Sequence, residues 1–183
     1  MLITADQVVP EHLTEATWRL YNNAFDELRA AAVQRHVMVR DEFDVVLADA
    51  RVTKYLGLDP DQPDEVLALA TFTNDLDAVP LISPDYFARR WPVLYAERRI
   101  WYIGFFAIDP QIRGDGVFET VIERMWQRVL ASRGIAALDI CRRNNDIGLP
   151  KAIHQTLDQL TTGVRSAPLD EQVYWLFEPP ESS

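Results

Sequence analysis

A strand, a glycine-bearing loop and a helix follow one another between residues 100 and 134, and this succession constrains the fold most. Residues 100–108 are almost continuously apolar and rich in aromatic and β-branched types, which predicts a strand buried on both faces. Asp109 and Pro110 end that strand, because proline lacks the N–H that a sheet ladder needs. Beyond the loop, one helical face collects the apolar residues Phe118, Val121, Ile122, Met125 and Val129.

The loop between this strand and helix carries two glycines, Gly114 and Gly116, and the helix is predicted to end with Gly134 as its C′ residue. The first turn of any helix has backbone N–H groups without an intrahelical acceptor, and the helix dipole favours negative charge there. The sequence therefore predicts a site for an anion, such as a phosphate group, at the start of the helix.

The loop also carries a sequence motif, PQIRGDGV, between Pro110 and Val117. It resembles the acyl-CoA-binding signature of the GCN5-related N-acetyltransferase (GNAT) superfamily, Arg/Gln-x-x-Gly-x-Gly/Ala. Arg113 and Gly116 match the first two defined positions, and Ile108 stands where the family has a strand-end aliphatic residue. The resemblance implies that loop amides bind the CoA pyrophosphate, chiefly through the main chain of Arg113, Gly114, Asp115, Gly116, Val117 and Phe118.

The chain departs from the family pattern at the end of this motif. Phe118 occupies a position that is usually glycine or alanine, and Asp115 and Glu119 place negative charge near the predicted anion site. Acidic residues stabilise a helix N-terminus by ~0.3–1 kcal/mol each, but the same charge opposes a phosphate. A relative with the same fold and a site that no longer binds CoA is the alternative interpretation.

The other elements are predicted from periodicity and turn residues. The predicted helices cover 10–32, 42–50 (with Asp41 as N-cap and Ala50 turned inward), a segment beginning at Pro84 with Ser83 as its cap, and 150–160. The predicted strands cover 52–58, 65–73, 136–141 and 172–177, with a further strand in residues 2–4. The helix at Pro84 is longer than the shortest connection that the family has at this place, so it is interpreted as an insertion. It either covers the acceptor pocket or only packs against the rest of the protein.

This order of elements resembles the GNAT order over nearly the whole chain. The resemblance implies an α/β (α+β) fold, with a central mixed, mostly antiparallel sheet flanked by helices. The chain of 183 residues suits one domain, and residues 178–183 are expected to form a frayed tail.

Charge and cysteine content exclude several classes of partner. The net charge of −10 argues against nonspecific binding of nucleic acid or of an anionic membrane. Between Arg89 and Arg143, however, basic residues outnumber acidic ones by 10 to 6. A basic centre in an acidic protein suits an anionic cofactor and also an amine substrate that approaches from outside, and arginines that only occupy solvated helix faces are the alternative interpretation. The single cysteine excludes an internal disulfide, and with no signal-peptide pattern this favours the cytoplasm. The histidines and the cysteine have no metal-ligand spacing, so no metal is expected.

Acyl transfer from a thioester to an amine needs donors for the developing oxyanion and an acceptor for the amine proton. By resemblance, backbone groups of Phe106, Ala107 and Ile108 contact the thioester and the pantetheine arm of CoA. The family's usual general acid, a tyrosine on the helix after the next strand, is missing here. His154 is the nearby substitute, and a structural or solvated histidine is the alternative interpretation.

Three further residues, Tyr102, Glu97 and Asp139, lie near the central strands and are candidates for the general base. By resemblance, Asn144 or Asn145 reaches the pantetheine or phosphate region of CoA. A turn with a helix cap is the alternative role for both asparagines. Cys141 at a strand end is interpreted as a small buried apolar residue.

These residues predict an acyl-CoA-dependent N-acyltransferase that passes acetyl from acetyl-CoA to an amine of a small molecule or protein, by direct attack. Two alternatives stay open: a catalytically silent GNAT-fold module that binds another partner, and transfer of a longer acyl group. Because members of the family are often dimers, the resemblance also implies a homodimer.

Overall fold

The computed structural model describes residues 1–31, 37–80, 82–112, 114 and 116–179. The predicted end of the first helix at Ala32, and the motif residues Arg113 and Asp115, therefore lie outside the described residues. Among the described residues, no helix is both long enough and apolar enough to cross a lipid bilayer.

Five strands form one sheet in the order β1-β2-β3-β4-β5. The strands are β1 (Leu2–Asp6), β2 (Thr53–Leu58), β3 (Val66–Thr73), β4 (Ile100–Ile108) and β5 (Ile135–Leu138). The pairs β1–β2, β2–β3 and β3–β4 are antiparallel, and β5 runs parallel to β4. This confirms the predicted fold class, including the short strand at the N-terminus, and the predicted strands 52–58 and 65–73 pair as a hairpin.

Seven helices connect these strands along the described chain. They are α1 (Thr14–Ala31), α2 (Arg40–Ala48), α3 (Pro84–Arg90), α4 (Pro92–Ala96), α5 (Val117–Ala131), α6 (Arg142–Asp146) and α7 (Leu149–Leu160). Proline stands in the first turn of α3, α4 and α7, where its missing N–H costs nothing. Pro84 thus begins α3 as the sequence predicts, and Pro92 begins the separate helix α4.

The helices cover both faces of the sheet, because neighbouring strand residues point to opposite faces. On one face, α1 and α2 pack on Leu56, Leu69 and Ala107, and Phe87 of α3 packs beside them on Ile100. On the other face, α5 packs on residues that include Tyr55, Ala70 and Phe72, and α7 adds Leu157. The β-sheet therefore lies between two helical layers, with apolar cores on both sides.

The central strand β4 is less buried than the sequence predicts. Ile100, Tyr102 and Ala107 are buried, whereas most of its other residues are half-buried and Gly104 is exposed. The physical reason is that β5 ends early, so the second half of β4 has a neighbour on one edge only.

The predicted end of α5 and both predicted ends of α2 are wrong by one or two residues. Arg133, with φ +50°, takes the C′ position of α5, and Gly134 follows it, with N–H groups bonded to the carbonyls of Leu130 and Val129. Gly134 is needed for another reason, because a Cβ there would collide with the Arg99 carbonyl oxygen. In α2 the N-cap is Val39 rather than Asp41.

The contacts at the start of α2 explain why the helix begins two residues earlier than the sequence predicts. The Glu42 carboxylate accepts the Val39 N–H at 3.0 Å, so a side chain inside the helix satisfies a backbone group before it. The helix then ends at Ala48, which leaves Ala50 exposed instead of inward-facing. Ser83 does stand at the N-cap of α3, but its side chain makes no capping hydrogen bond.

The predicted last strand, residues 172–177, is wrong for the single chain. These residues form no strand, and Trp175, Leu176 and Phe177 are 78%, 82% and 85% exposed. Residues of this type favour strands only when another strand supplies hydrogen bonds and a packing surface.

Candidate functional site

The central feature of the site is the place where β4 and β5 stop pairing. β5 pairs with β4 from Ile100 to Ile103, and the last pair joins Ile103 to Leu138. β4 continues for five more residues, to Ile108, without β5 beside it. The backbone groups on this edge of β4 are therefore available to something other than the sheet.

Backbone alternation shows which N–H groups face the open edge. The Asp109 N–H donates to the Leu67 carbonyl of β3 at 2.8 Å, and Ala107 is paired with Leu69 two residues earlier. Since successive N–H groups of a strand point to opposite edges, the Ala107 N–H also faces β3. The N–H groups of Phe106 and Ile108 face the open edge.

A bulge in β4 lies just before these residues. Gly104 and Phe105 together stand opposite Thr71 of β3, between the pairs Phe72–Ile103 and Ala70–Phe106. The buried Thr71 side chain accepts the Phe105 N–H at 3.2 Å, so the extra residue leaves no unpaired donor. Bulges bend a strand and redirect the side chains after it, and this one begins the separation of β4 from β5. Nothing in the sequence marks Thr71, because its partner is 34 residues away.

The loop after β4 leads directly to the N-terminus of α5. The Asp109 carboxylate accepts the Gln111 N–H at 2.8 Å, and a single 3₁₀ turn, Pro110–Ile112, follows. Gly114 and Gly116 have φ values of +102° and +74°, which favour glycine. Apart from their chain neighbours, no described residue has an atom within 4 Å of the space that a Cβ would take at either glycine. The loop is thus open to solvent where the sequence predicts the anion site.

At the start of α5, the Gly116 carbonyl accepts the first helical bond, from the Thr120 N–H at 3.0 Å. The N–H groups of Val117 and Phe118 belong to the first turn, so they have no acceptor within the helix. These donors and the positive end of the helix dipole lie together, which is the arrangement that binds phosphate groups in other proteins.

Of the three residues that are unfavourable for a phosphate in the sequence, Asp115, Phe118 and Glu119, the structure describes the last two. The Phe118 ring packs edge-on against Phe106, with ring centroids 4.9 Å apart, within the core between α5 and the sheet. The Glu119 side chain is exposed to solvent. The aromatic ring thus turns toward the sheet, and the carboxylate turns toward water.

Two of the predicted catalytic residues meet where the strands separate. The Tyr102 hydroxyl donates to Asp139 Oδ1 at 2.9 Å, and Asp139 is the residue that follows β5. Burial and the nearby Asp139 carboxylate both raise the pKa of Tyr102, so its hydroxyl stays protonated and continues to donate. Asp139 itself is exposed, so its carboxylate is held in place at an accessible position.

The other two catalytic candidates lie elsewhere. Glu97 follows α4 at the opposite end of β4, where its carboxylate pairs with Arg99 at 2.7 Å. His154 lies on α7, and its Nδ1 is 3.1 Å from the Ser166 hydroxyl. Among the described residues, neither side chain forms a hydrogen bond or an ion pair with Tyr102 or Asp139.

The two asparagines lie on α6, directly after β5. Because β4 and β5 are parallel, the segments that follow them leave the sheet at the same end. Asn144 and Asn145 therefore lie at the same end of the sheet as the glycine loop. Asn144 is half-buried and Asn145 is exposed. Their neighbour Arg143 forms an ion pair with Glu27 of α1 at 2.8 Å, which joins α6 to the first helix.

A cluster of aromatic rings joins the bulge of β4 to α1. Phe105, at the bulge, contacts Tyr21 and Phe25 with ring centroids 5.0 and 6.3 Å away. The Tyr21 hydroxyl in turn accepts the Met38 N–H at 2.9 Å.

Cys141, as the sequence predicts, is buried.

Comparison with solved structures reveals the same fold in several proteins of low sequence identity. A mutant of the BH1408 protein from Bacillus halodurans is 14% identical, with a TM-score of 0.56, over 96% of this chain and all of that one. The aminoglycoside 6'-N-acetyltransferase AAC(6')-IG from Acinetobacter haemolyticus is 15% identical, with a TM-score of 0.54, over 97% of this chain and 99% of that one.

A third similar structure contains a ligand that combines both substrates. AAC(6')-Iy, in complex with the bisubstrate analogue CoA-S-monomethyl-acetylneamine, is 14% identical, with a TM-score of 0.51, over 98% of this chain and 99% of that one. No family model and no curated protein matches the sequence. The chain therefore shares the fold of these structures, two of which are acetyltransferases, although it is only 14–15% identical to them in sequence.

Proposed function

We propose that this protein is an acyl-CoA-dependent N-acyltransferase that passes acetyl from acetyl-CoA to an amine by direct attack. The observation that carries the proposal is the open edge of β4 beside the glycine loop and the first turn of α5, within the GNAT fold. These features offer one continuous line of main-chain donors to a long anionic ligand.

The glycine loop and the first turn of α5 form the proposed binding site for the diphosphate of CoA. We assign the phosphate contacts to the main chain of 113–118, where Gly114 and Gly116 leave room for a ligand to approach. The outward N–H groups of Phe106 and Ile108 would bond the pantetheine arm and the thioester carbonyl, and the first helical turn after β5 brings in Asn144 or Asn145. Donors aimed at the carbonyl oxygen stabilise the oxyanion that develops during attack.

Asp139 is the proposed proton acceptor for the attacking amine. Its carboxylate is accessible, lies where the two strands separate, and is oriented by the Tyr102 hydroxyl at 2.9 Å. A positioned base of this kind contributes about 10²–10⁴-fold to rate. Tyr102 acts through Asp139 and is a positioning residue.

The acceptor is proposed to be an amine of a small molecule or of a protein. AAC(6')-Iy binds an acetylneamine-derived analogue linked to CoA, which shows that this fold can hold CoA and an amine acceptor together. We further propose that the protein acts in the cytoplasm and as a homodimer.

Calorimetric titration with acetyl-CoA tests the diphosphate site. Wild-type protein should bind with a micromolar Kd, and Gly116→Glu should weaken binding at least ~10-fold, because it adds a negative side chain beside the phosphates. Gly163→Glu is the matched control, since Gly163 also has positive φ (+87°) and open space around it, but follows α7.

Equal weakening in both variants would show that backbone strain, not the phosphate site, causes the loss. No binding of acetyl-CoA to wild-type protein at about 1 mM would overturn the proposal and favour the catalytically silent module. Tighter binding of a medium-chain acyl-CoA than of acetyl-CoA would show that the protein transfers a longer acyl group.

A further inference from the structure

A cavity of about 280 Å³ lies at the end of the sheet where β4 begins. Its walls include Thr53 at the start of β2, Thr73 at the end of β3 and Trp101 near the start of β4. From Trp101, β4 continues to Ile108, a length of about 23 Å at ~3.3 Å per residue. The cavity is therefore separate from the glycine loop, which follows the other end of β4.

Three arginines line this cavity, in a chain whose net charge is −10. Arg51 and Arg98 come from the loops before β2 and β4, and Arg128 comes from α5. Asp75 is the only carboxylate among the described residues that line the cavity. The lining thus carries three positive charges against one negative charge, which favours an anionic ligand.

Arg128 contributes a positive charge that no described carboxylate neutralises. Its guanidinium donates to the Thr53 hydroxyl at 3.0 Å and lies over the Tyr55 ring, 5.7 Å from the ring centroid. Both contacts orient the guanidinium but leave its charge in place. In the described part of the chain, none of the ion pairs includes Arg128.

The loops that carry the other two arginines are held by side chains at the end of β3. The Thr73 hydroxyl donates to the Arg51 carbonyl at 2.8 Å, and the Asn74 amide donates to the Arg98 carbonyl at 2.8 Å. Arg98 has a φ of +51°, a conformation that is strained for a residue other than glycine. Strain of this kind persists where surrounding contacts enforce it, and it is concentrated at ligand sites.

Arg51 and Arg98 each have one carboxylate partner. Arg51 pairs with Asp49 at 2.6 Å, and Arg98 lies 3.4 Å from Asp75. A guanidinium has five N–H donors, so one carboxylate leaves part of each group available to a ligand.

Trp101 adds an aromatic wall to the cavity. Its ring stacks on Phe72 with centroids 4.7 Å apart, and its indole N–H donates to the Ser132 hydroxyl at 2.9 Å. These contacts fix the half-buried ring. The cavity therefore combines cationic donors with an apolar surface.

We propose that this cavity binds a small phosphate monoester. Its phosphate would accept N–H groups of Arg51, Arg98 and Arg128, and its carbon skeleton would lie against Trp101. Guanidinium groups suit this ligand because their planar fork matches the phosphate oxygens. Ligand pockets usually measure about 300–1,000 Å³, so a cavity of about 280 Å³ suits a molecule much smaller than CoA. This inference does not depend on acyl transfer.

Calorimetric titration with glycerol 3-phosphate, at constant ionic strength, tests the proposal. Wild-type protein should bind with a Kd below about 1 mM, and Arg128→Gln should weaken binding at least ~10-fold. Removal of this charge leaves no described carboxylate without its partner. Arg124→Gln is the matched control, since Arg124 is also exposed on α5 but donates to the Ile3 carbonyl and does not line the cavity. Its binding should match wild type.

Amide and indole chemical shifts then locate the ligand. The Thr53 and Arg98 amides and the Trp101 indole should shift with glycerol 3-phosphate, and the same spectra verify that Arg128→Gln is folded. No binding at about 10 mM, equal losses in Arg124→Gln and Arg128→Gln, equally tight binding of acetate, or shifts confined to the glycine loop would each overturn the proposal.

The Gly116→Glu variant separates this cavity from the acyl-CoA site. It should bind glycerol 3-phosphate as tightly as wild type, because residue 116 lies at the other end of β4. Loss of glycerol 3-phosphate binding in this variant would place the ligand at the glycine loop and overturn the proposal. Acetyl-CoA titration of Arg128→Gln reports separately on the acyl-CoA site, so the two proposals fail independently.

Discussion

The Tyr102 hydroxyl donates a 2.9 Å hydrogen bond to Asp139 Oδ1, across the point where β4 and β5 cease to pair. Tyr102 lies on β4, and Asp139, 37 positions later in the sequence, directly follows β5. Their contact combines a buried donor with an exposed carboxylate at the entrance to the open edge of β4.

Asp139→Asn should lower kcat/KM for amine acetylation by about 10²–10⁴-fold, because the amide cannot accept the amine proton. The Kd for acetyl-CoA should change little, since the carbonyl oxygen of the substituted side chain can still accept the Tyr102 hydroxyl. Steady-state kinetics and calorimetry measure the two quantities. Glu97→Gln is the control, because it neutralises a carboxylate at the far end of β4, and an equal loss in that variant would contradict the role of Asp139.

Gly104→Ala should lower the free energy of unfolding by about 1–3 kcal/mol, as overpacking does in other proteins. The added Cβ would lie 2.6 Å from Thr71 Oγ1, so the hydroxyl would have to move away from the Phe105 N–H. Urea unfolding of the single variant measures this cost.

A double-mutant cycle separates this contact from a general effect of alanine at the bulge. Thr71→Ala removes the oxygen that the new methyl group would meet, so the cost of Gly104→Ala should shrink in that background by about 1 kcal/mol or more. Strict additivity would show that Thr71 does not determine the need for glycine.

Lys54 should make the stability of the protein depend on pH. Its buried ammonium donates to the carbonyls of Gln7 and Asp49 at 2.7 and 2.6 Å, and burial lowers its pKa to about 8 from the ordinary 10.5. Between these two values the unfolded chain holds more protons than the native state. The contribution of Lys54 to the free energy of unfolding should therefore rise with pH across this window.

The comparison of urea midpoints at about pH 7.5 and about pH 9.5 measures this contribution. Lys54→Met should lose the rise, and should also lose about 1–3 kcal/mol of stability from its unsatisfied carbonyls. Lys151→Met, which alters an exposed lysine on α7, should keep the wild-type dependence. A wild-type slope in Lys54→Met would contradict the assignment.

The strand–loop–helix unit could be predicted from sequence because its information is local. The apolar run of 100–108 corresponds to β4 residue for residue, and the helical periodicity after Gly116 corresponds to α5. Local signals were weaker at helix ends. Arg133 rather than Gly134 adopts the left-handed conformation, because the close approach of the Arg99 carbonyl, not the turn, requires the glycine.

Sequence alone determined the fold class, the order of the elements as far as α7 and the position of the glycine loop, since each follows from residues adjacent in the chain. Only tertiary structure decided which candidates meet: it joined Tyr102 to Asp139, placed Thr71 against the bulge, and paired Glu97 with Arg99 and His154 with Ser166 instead. It also left residues 173–177 without a ladder, because a strand exists only where a distant segment supplies its hydrogen bonds.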